Sequence, residues 1–201
     1  MMGRYRLDRH GLAIAHPNPS TEEIAPYTVP QTGQQWWIDD DGIVPMMGED
    51  CGFHDNAANR FTEFVRVTFG DKYLTDNMNF VRDALGKDVV DYLRTDFYAD
   101  HKRMYQNRPI YWMFSSNQKG KRAAFQCLVY MHRMNRFTPE HIRTNYLLPY
   151  IDHLAAREAE LSGRSSLSAK ENKRLRQLRS DLDECRDYQL RLHEFADRQI
   201  E

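Results

Sequence analysis

No apolar run in this sequence approaches the roughly 18 residues that a membrane-spanning helix requires. No apolar stretch follows the charged start Met1-Met2-Gly3-Arg4-Tyr5-Arg6, so the N-terminus does not read as a signal peptide, and the expected location is the cytoplasm. Cysteine is scarce: Cys51, Cys127 and Cys185 form an odd, widely spaced set without a CxxC pair. That pattern argues against a zinc ribbon and a disulfide framework and in favour of buried or incidental thiols. Net charge is nearly absent as well, at −1, although 28% of residues are charged, so the distribution of charge has to decide what partners it fits. The sequence has no glycine-rich phosphate loop and no HExxH, GxSxG or EF-hand pattern. His132 and His141 stand without acid or cysteine neighbours at ligand spacing, so no metal site is expected. His54-Asp55 reads as a loop and helix cap, and Asp39-Asp40-Asp41-Gly42 as a solvated acidic turn.

Five prolines among the first 50 residues, with scattered glycines, exclude long helices there. Residues 1–54 read as an extended, irregular arm, with Trp36-Trp37-Ile38 as a short strand or docking anchor. Helical spacing starts near Asp55: Phe61, Phe64, Val65 and Phe69 mark one helix that Gly70 stops. Leu74, Met78, Val81 and Leu85 mark a second, closed by Gly86; Val89, Tyr92, Leu93 and Phe97 mark a third over about 88–105. These three should pack as one small unit.

Two dense apolar runs follow, 109–114 and 124–130, joined by a polar loop. Aromatic and β-branched residues favour two paired strands, although a buried helix has the same length signature. Thr138-Pro139-Glu140 reads as a hydroxyl cap with proline at the first helical position, and Pro149 should kink that helix near Asn145. Ser168-x-x-Glu171 is a capping box for the last helix. There Leu175, Leu178, Leu182, Cys185, Gln189, Leu192 and Ala196 advance by threes and fours, a heptad seam. The expected fold is mainly α: a helical domain with a short two-stranded hairpin and a C-terminal antiparallel helical hairpin. The expected division is 1–54 arm, 55–137 helical unit with β insert, and 138–201 helical spacer, whose last helix meets the end of the sequence without a cap.

Charge is concentrated in one stretch. Between His101 and Arg143 stand nine lysines and arginines against the single acid Glu140, a local balance of +8. Lys102, Arg103, Arg108, Lys119, Lys121, Arg122, Arg133 and Arg136 are candidate contacts to DNA phosphates, interleaved with Tyr105, Tyr111, Trp112 and Tyr130. Equally, the aromatics suit a core, and the cations suit solvent or pairing with the acidic N-terminal third.

The runs Arg108-Pro109-Ile110-Tyr111-Trp112-Met113-Phe114-Ser115-Ser116 and Ala124-Phe125-Gln126-Cys127-Leu128-Val129-Tyr130-Met131-His132-Arg133 carry a resemblance. With Met2–Asp8, Asp41–Pro45 and Arg60–Gly70, they resemble the region downstream of the catalytic domain in the PglX family. These are the adenine-specific DNA methyltransferases of BREX phage-defence systems. The resemblance implies a parent enzyme that transfers a methyl group from S-adenosylmethionine to adenine in duplex DNA, with other phage-defence proteins as partners. It carries over no catalytic residues. The glycine-containing cofactor loop and the Asn-Pro-Pro-Tyr-type motif used on a flipped base have no counterpart here: Asn18-Pro19 runs on to Ser20, and Arg108 precedes Pro109. The expectation is a segment without its own cofactor that spaces domains and contacts DNA backbone. The alternative is a standalone helical interaction module using the heptad hairpin.

Overall fold

The computed structural model describes residues 4–7, 13–16, 41–48, 51–117 and 122–200. Trp36, Trp37, Ile38, Asp39 and Asp40 lie outside them. The N-terminal arm holds two strands absent from the sequence reading: β1 (Arg4–Leu7) and β2 (Ala13–His16) pair antiparallel, with Arg4 opposite His16.

The central element is a three-stranded antiparallel sheet rather than a two-stranded hairpin. β3 (Ile43–Pro45), β4 (Tyr111–Ser115) and β5 (Gln126–Tyr130) are ordered β3-β5-β4. Tyr111 faces Tyr130 and Ser115 faces Gln126, so the aromatic runs do form the hairpin. The third strand pairs Ile43 with Val129 and Pro45 with Cys127. A three-residue strand ending in proline gives almost no periodic signal, and proline is tolerated because β3 is at the sheet edge. β5, between two neighbours, is buried from Gln126 to Val129. Asp41 is not a solvated turn residue: its carboxylate accepts from the Ile43 N–H at 2.7 Å and from the Tyr146 hydroxyl, and lies 3.1 Å from His141 Nε2. Gly42, at φ +78°, turns the chain into β3, and a Cβ there would come 3.1 Å from Arg133 Cδ.

The helices α1 (Ala57–Phe69), α2 (Leu74–Leu85) and α3 (Val89–Thr95) pack on one another as a thin layer. Buried Asn56 caps α1, accepting the Asn59 N–H at 3.0 Å while its amide donates to the Phe53 carbonyl at 2.8 Å. The inward face is narrower than its spacing suggested. Val65 is buried, yet Phe64 and Phe69 are exposed, and α2 buries no residue fully. The expected helix over 88–105 is broken at Asp96 into α3 and α4 (Phe97–Met104). Thr95 and Asp96 are poor helix formers whose side chains compete for local partners; Thr95 Oγ1 donates back to the Asp91 carbonyl and reaches Asp96.

The core lies between β5 and the C-terminal helices. α5 (Thr138–Ile142) runs through a wide π turn (Arg143–Leu147) into α6 (Leu148–Ser162). Pro149 cannot donate to the Asn145 carbonyl, and the expected distortion takes the form of this π segment. The Thr138 hydroxyl does not cap forward. It reaches back to accept the Asn135 N–H at 2.9 Å, while Asn135 Oδ1 accepts from the Phe137 N–H at 2.9 Å, so the side-chain caps start three residues earlier, at Asn135. α7 (Ala169–Ile200) starts at the anticipated box, with Ser168 N–H donating to Glu171 at 2.8 Å. It returns along α6, as the heptad pattern indicated, with one change in the seam. Tyr188 is buried where Gln189 was expected, and its ring meets Phe125 at 6.2 Å. Ile43, Met47 and Cys51 from the arm share this core with β5, α6 and α7. Gly52 (φ +79°) lets the arm pass His153, whose Nδ1 would lie 3.0 Å from any Cβ.

Candidate nucleic-acid interface

The β4–β5 hairpin divides the basic segment in two. Each strand is five residues long, so its ends stand about 13 Å apart at the usual rise. Arg108 and Arg133 leave the same end, because Met131 N–H donates to the Ile110 carbonyl at 3.0 Å. Lys102 and Arg103 join them: α4 is fixed to the start of β4 by the Tyr111 N–H, which donates to His101 Nε2 at 3.3 Å. Arg136 follows from the turn after β5. The other end carries Arg122, while Lys119 and Lys121 lie outside the described residues.

At the first end the cations are exposed but not uncommitted. Lys102 lies over the Tyr98 ring at 5.3 Å, and Arg136 over Phe137 at 4.8 Å. Arg103 pairs with Asp100 at 2.8 Å, a surface pair of small value that an incoming phosphate can compete for. Arg133 lines a shallow recess of about 150 Å³ with Asn135, Thr138 and His141. Arg143, part of the original charge count, is the exception: its guanidinium binds Glu140 through two bonds of 2.8 and 2.6 Å. That hydrogen bonding holds the Glu140 carboxyl below the usual range and raises Arg143, so this pair is internally neutralised.

The second end is positioned by α7. Glu184 accepts from the Ala124 N–H at 2.8 Å and from the Ser116 hydroxyl, while Arg191 Nη2 donates to the Ser116 carbonyl at 3.0 Å. Arg122 sits 3.6 Å from Asp181 and keeps about half its side chain in solvent. The interleaved aromatics divide similarly. Tyr111 and Tyr130 meet at a tilt across the hairpin, ring centroids 5.5 Å apart, as partly buried packing, whereas Trp112 is 48% exposed.

Sequence reasoning missed the basic half of α7. Between Lys170 and Arg179 five cations stand against Glu171, and between Asp181 and Asp197 six carboxylates stand against Arg186 and Arg191. A count confined to that helix would have found it; the seam drew attention to the apolar positions instead.

The sequence matches no protein-family model. It is 38% identical, over 218 aligned positions, to the adenine-specific methyltransferase BrxX of Escherichia coli O9:H4 (strain HS); the alignment covers 99% of this chain and 18% of the relative. It is 32% identical, over 215 positions, to the adenine-specific methyltransferase PglX of Lacticaseibacillus casei (strain Zhang), covering 100% of this chain and 17% of the relative. The chain thus spans less than a fifth of the length of these relatives. The similarity runs from end to end of the chain in both, and the chain corresponds to a PglX-like region.

Proposed function

We propose that this chain is a non-catalytic region of an S-adenosylmethionine-dependent, adenine-specific DNA methyltransferase of a phage-defence system, serving as scaffold and spacer and contacting duplex backbone. The observation that carries the reading is the end-to-end similarity to two adenine-specific methyltransferases whose length is more than five times that of this chain. The rest of such a chain, duplex DNA and other phage-defence proteins are the partners it implies.

On this reading the cofactor belongs to the rest of such a chain: the sequence here offers no glycine-containing cofactor loop. No methyl-transfer step is therefore derived from this chain. What its residues supply is positioning: a rigid helical hairpin gripping a sheet, with cations at both ends of the β4–β5 hairpin. Phosphate contacts of this kind orient a protein on DNA without reading sequence.

The test is duplex binding by fluorescence anisotropy across a salt series. Removing one cation that touches a phosphate should reduce the slope of log K against log salt by about 0.9. Arg133→Glu with Arg136→Glu should weaken binding and flatten the slope, as should the triple change of Lys119, Lys121 and Arg122 to Glu. Unchanged affinity in both variants sinks the backbone-contact reading. The standalone interaction module draws less support, because Leu178, Leu182, Cys185 and Leu192 already belong to the internal core.

A further inference from the structure

A cleft of about 420 Å³ opens between α3, the end of the β4–β5 connection, α6 and α7. That volume falls within the range of small-ligand sites. Three arginines line it from elements far apart in sequence: Arg94 from α3, Arg122 from the connection and Arg174 from α7. Arg94 is the unusual one. Its Nη2 donates to the Ala123 carbonyl at 2.9 Å, but its buried Nε has no hydrogen-bond partner among the described residues. Burial, and then the neighbouring Arg122, lower its pKa, as expected for a guanidinium held near another without a carboxylate of its own.

The cleft is not uniformly cationic. Asp181 stands 3.6 Å from Arg122 and accepts from Gln177 Nε2 at 2.8 Å. Asp88 is occupied in capping α3 through the Val90 N–H, and Asp91 sits in the first turn of α3. Tyr150 and Leu154 add an apolar wall. A simple anion would meet the arginines and be opposed by the acids. A ligand carrying an anion at one end and hydrogen-bond donors and a flat ring at the other would use all of them. The basic run Lys170–Arg179 on α7 adds positive potential beside the opening.

We propose that this cleft is a nucleotide site, taking a phosphate on Arg94, Arg122 and Arg174 and a nucleoside's donor groups on Asp181 and Gln177 against the Tyr150 wall. The chemistry is the same whether the nucleotide is free or one unit of a single strand. Planar guanidinium forks suit phosphate oxygens, and removing one charge-assisted hydrogen bond weakens binding about tenfold or more.

The experiment is calorimetry of the 201-residue chain with adenosine monophosphate, inorganic phosphate and a short single-stranded oligodeoxynucleotide. Adenosine monophosphate should bind one site, more tightly than inorganic phosphate. Arg174→Glu and Arg122→Glu, on exposed side chains, should each weaken it about tenfold or more, while Arg174→Lys should fall between wild type and Arg174→Glu. Circular dichroism melting of each variant shows that the fold is kept. Competition by the oligonucleotide assigns the site to a strand, and its absence assigns it to free nucleotide; either outcome supports the cleft. No binding of adenosine monophosphate or oligonucleotide, binding indifferent to both glutamate variants, or equal affinity for inorganic phosphate would overturn the proposal. Duplex affinity that persists while adenosine monophosphate fails to bind sinks the cleft and leaves the backbone-contact reading standing.

Discussion

His101 is a histidine in an aromatic enclosure. Phe97 and Tyr98 stack on it, Tyr105 lies 4.8 Å away and Tyr111 meets it edge-on at 5.8 Å. Its Nε2 accepts the Tyr111 N–H, a role open only to the neutral ring. Burial lowers its pKa from the ordinary 6.5. The sign follows: above about pH 6.5 the ring is neutral in both folded and unfolded chains, and its contribution is complete. Below that value the unfolded chain takes up the proton first, so stability falls with pH until the lowered folded value is reached. Urea midpoints at pH 7.5 and 5.5 should therefore differ, and His101→Phe should reduce the difference at some cost to overall stability. The three thiols behave in a related way. Cys51, Cys127 and Cys185 are all buried; burial pushes Cys185 up to about 12 and Cys127 higher still. Since the thiolate is the reactive form, a colourimetric disulfide reagent at pH 8 should leave the native protein almost unlabelled and titrate three thiols in denaturant.

Elements with strong local signals were legible in the sequence, and elements defined by tertiary pairing were not. The capping box Ser168-x-x-Glu171, the helical hairpin and the β4–β5 pair all rest on short-range patterns and all form. β3 escapes such reading because three residues carry no period, and its partner strand is more than 80 residues away. The seam of α7 was readable except at one step. Tyr188 displaces Gln189 because the buried surface there is an aromatic one formed by Phe125 and Tyr150, which no helical spacing announces. Two substitutions separate the alternatives. Tyr188→Ala should cost about 3–5 kcal/mol by analogy with other buried aromatics, and Gln189→Ala within about 0.5 kcal/mol. Leu182→Ala, at a position on which both readings agree, should cost about 2–5 kcal/mol. Denaturant midpoints measure all three, and a Gln189 effect as large as that of Tyr188 would restore the regular heptad.

Across the whole molecule, the near-zero net charge conceals a sorted distribution. The stretch 101–143 was visible as basic by counting, but counting cannot show that a hairpin carries its cations to opposite ends, or that Arg143 is neutralised by Glu140. Nor can it bring Arg94, Arg122 and Arg174 to one cleft across 80 residues of chain. α7 shows the sorting most clearly. A helix favours carboxylates in its first turn and cations in its last, and α7 has Glu171 and Arg198 there; besides Glu171, its first half carries Lys170, Lys173, Arg174, Arg176 and Arg179, and six carboxylates stand between Asp181 and Asp197. Lys170, in the first turn, is the cation that opposes the helix dipole. Lys170→Glu, in the first turn and exposed to solvent, should therefore stabilise the fold, by about 0.3–1 kcal/mol at low ionic strength. At 1 M salt, where screening acts within roughly 3 Å, the gain should largely vanish. The same change should weaken the binding of anionic ligands near the α7 N-terminus. Thermal melts at two salt concentrations, set beside an oligonucleotide titration, read both effects. A variant that is neither more stable nor weaker in binding would mean that the charge order of α7 has no functional cause.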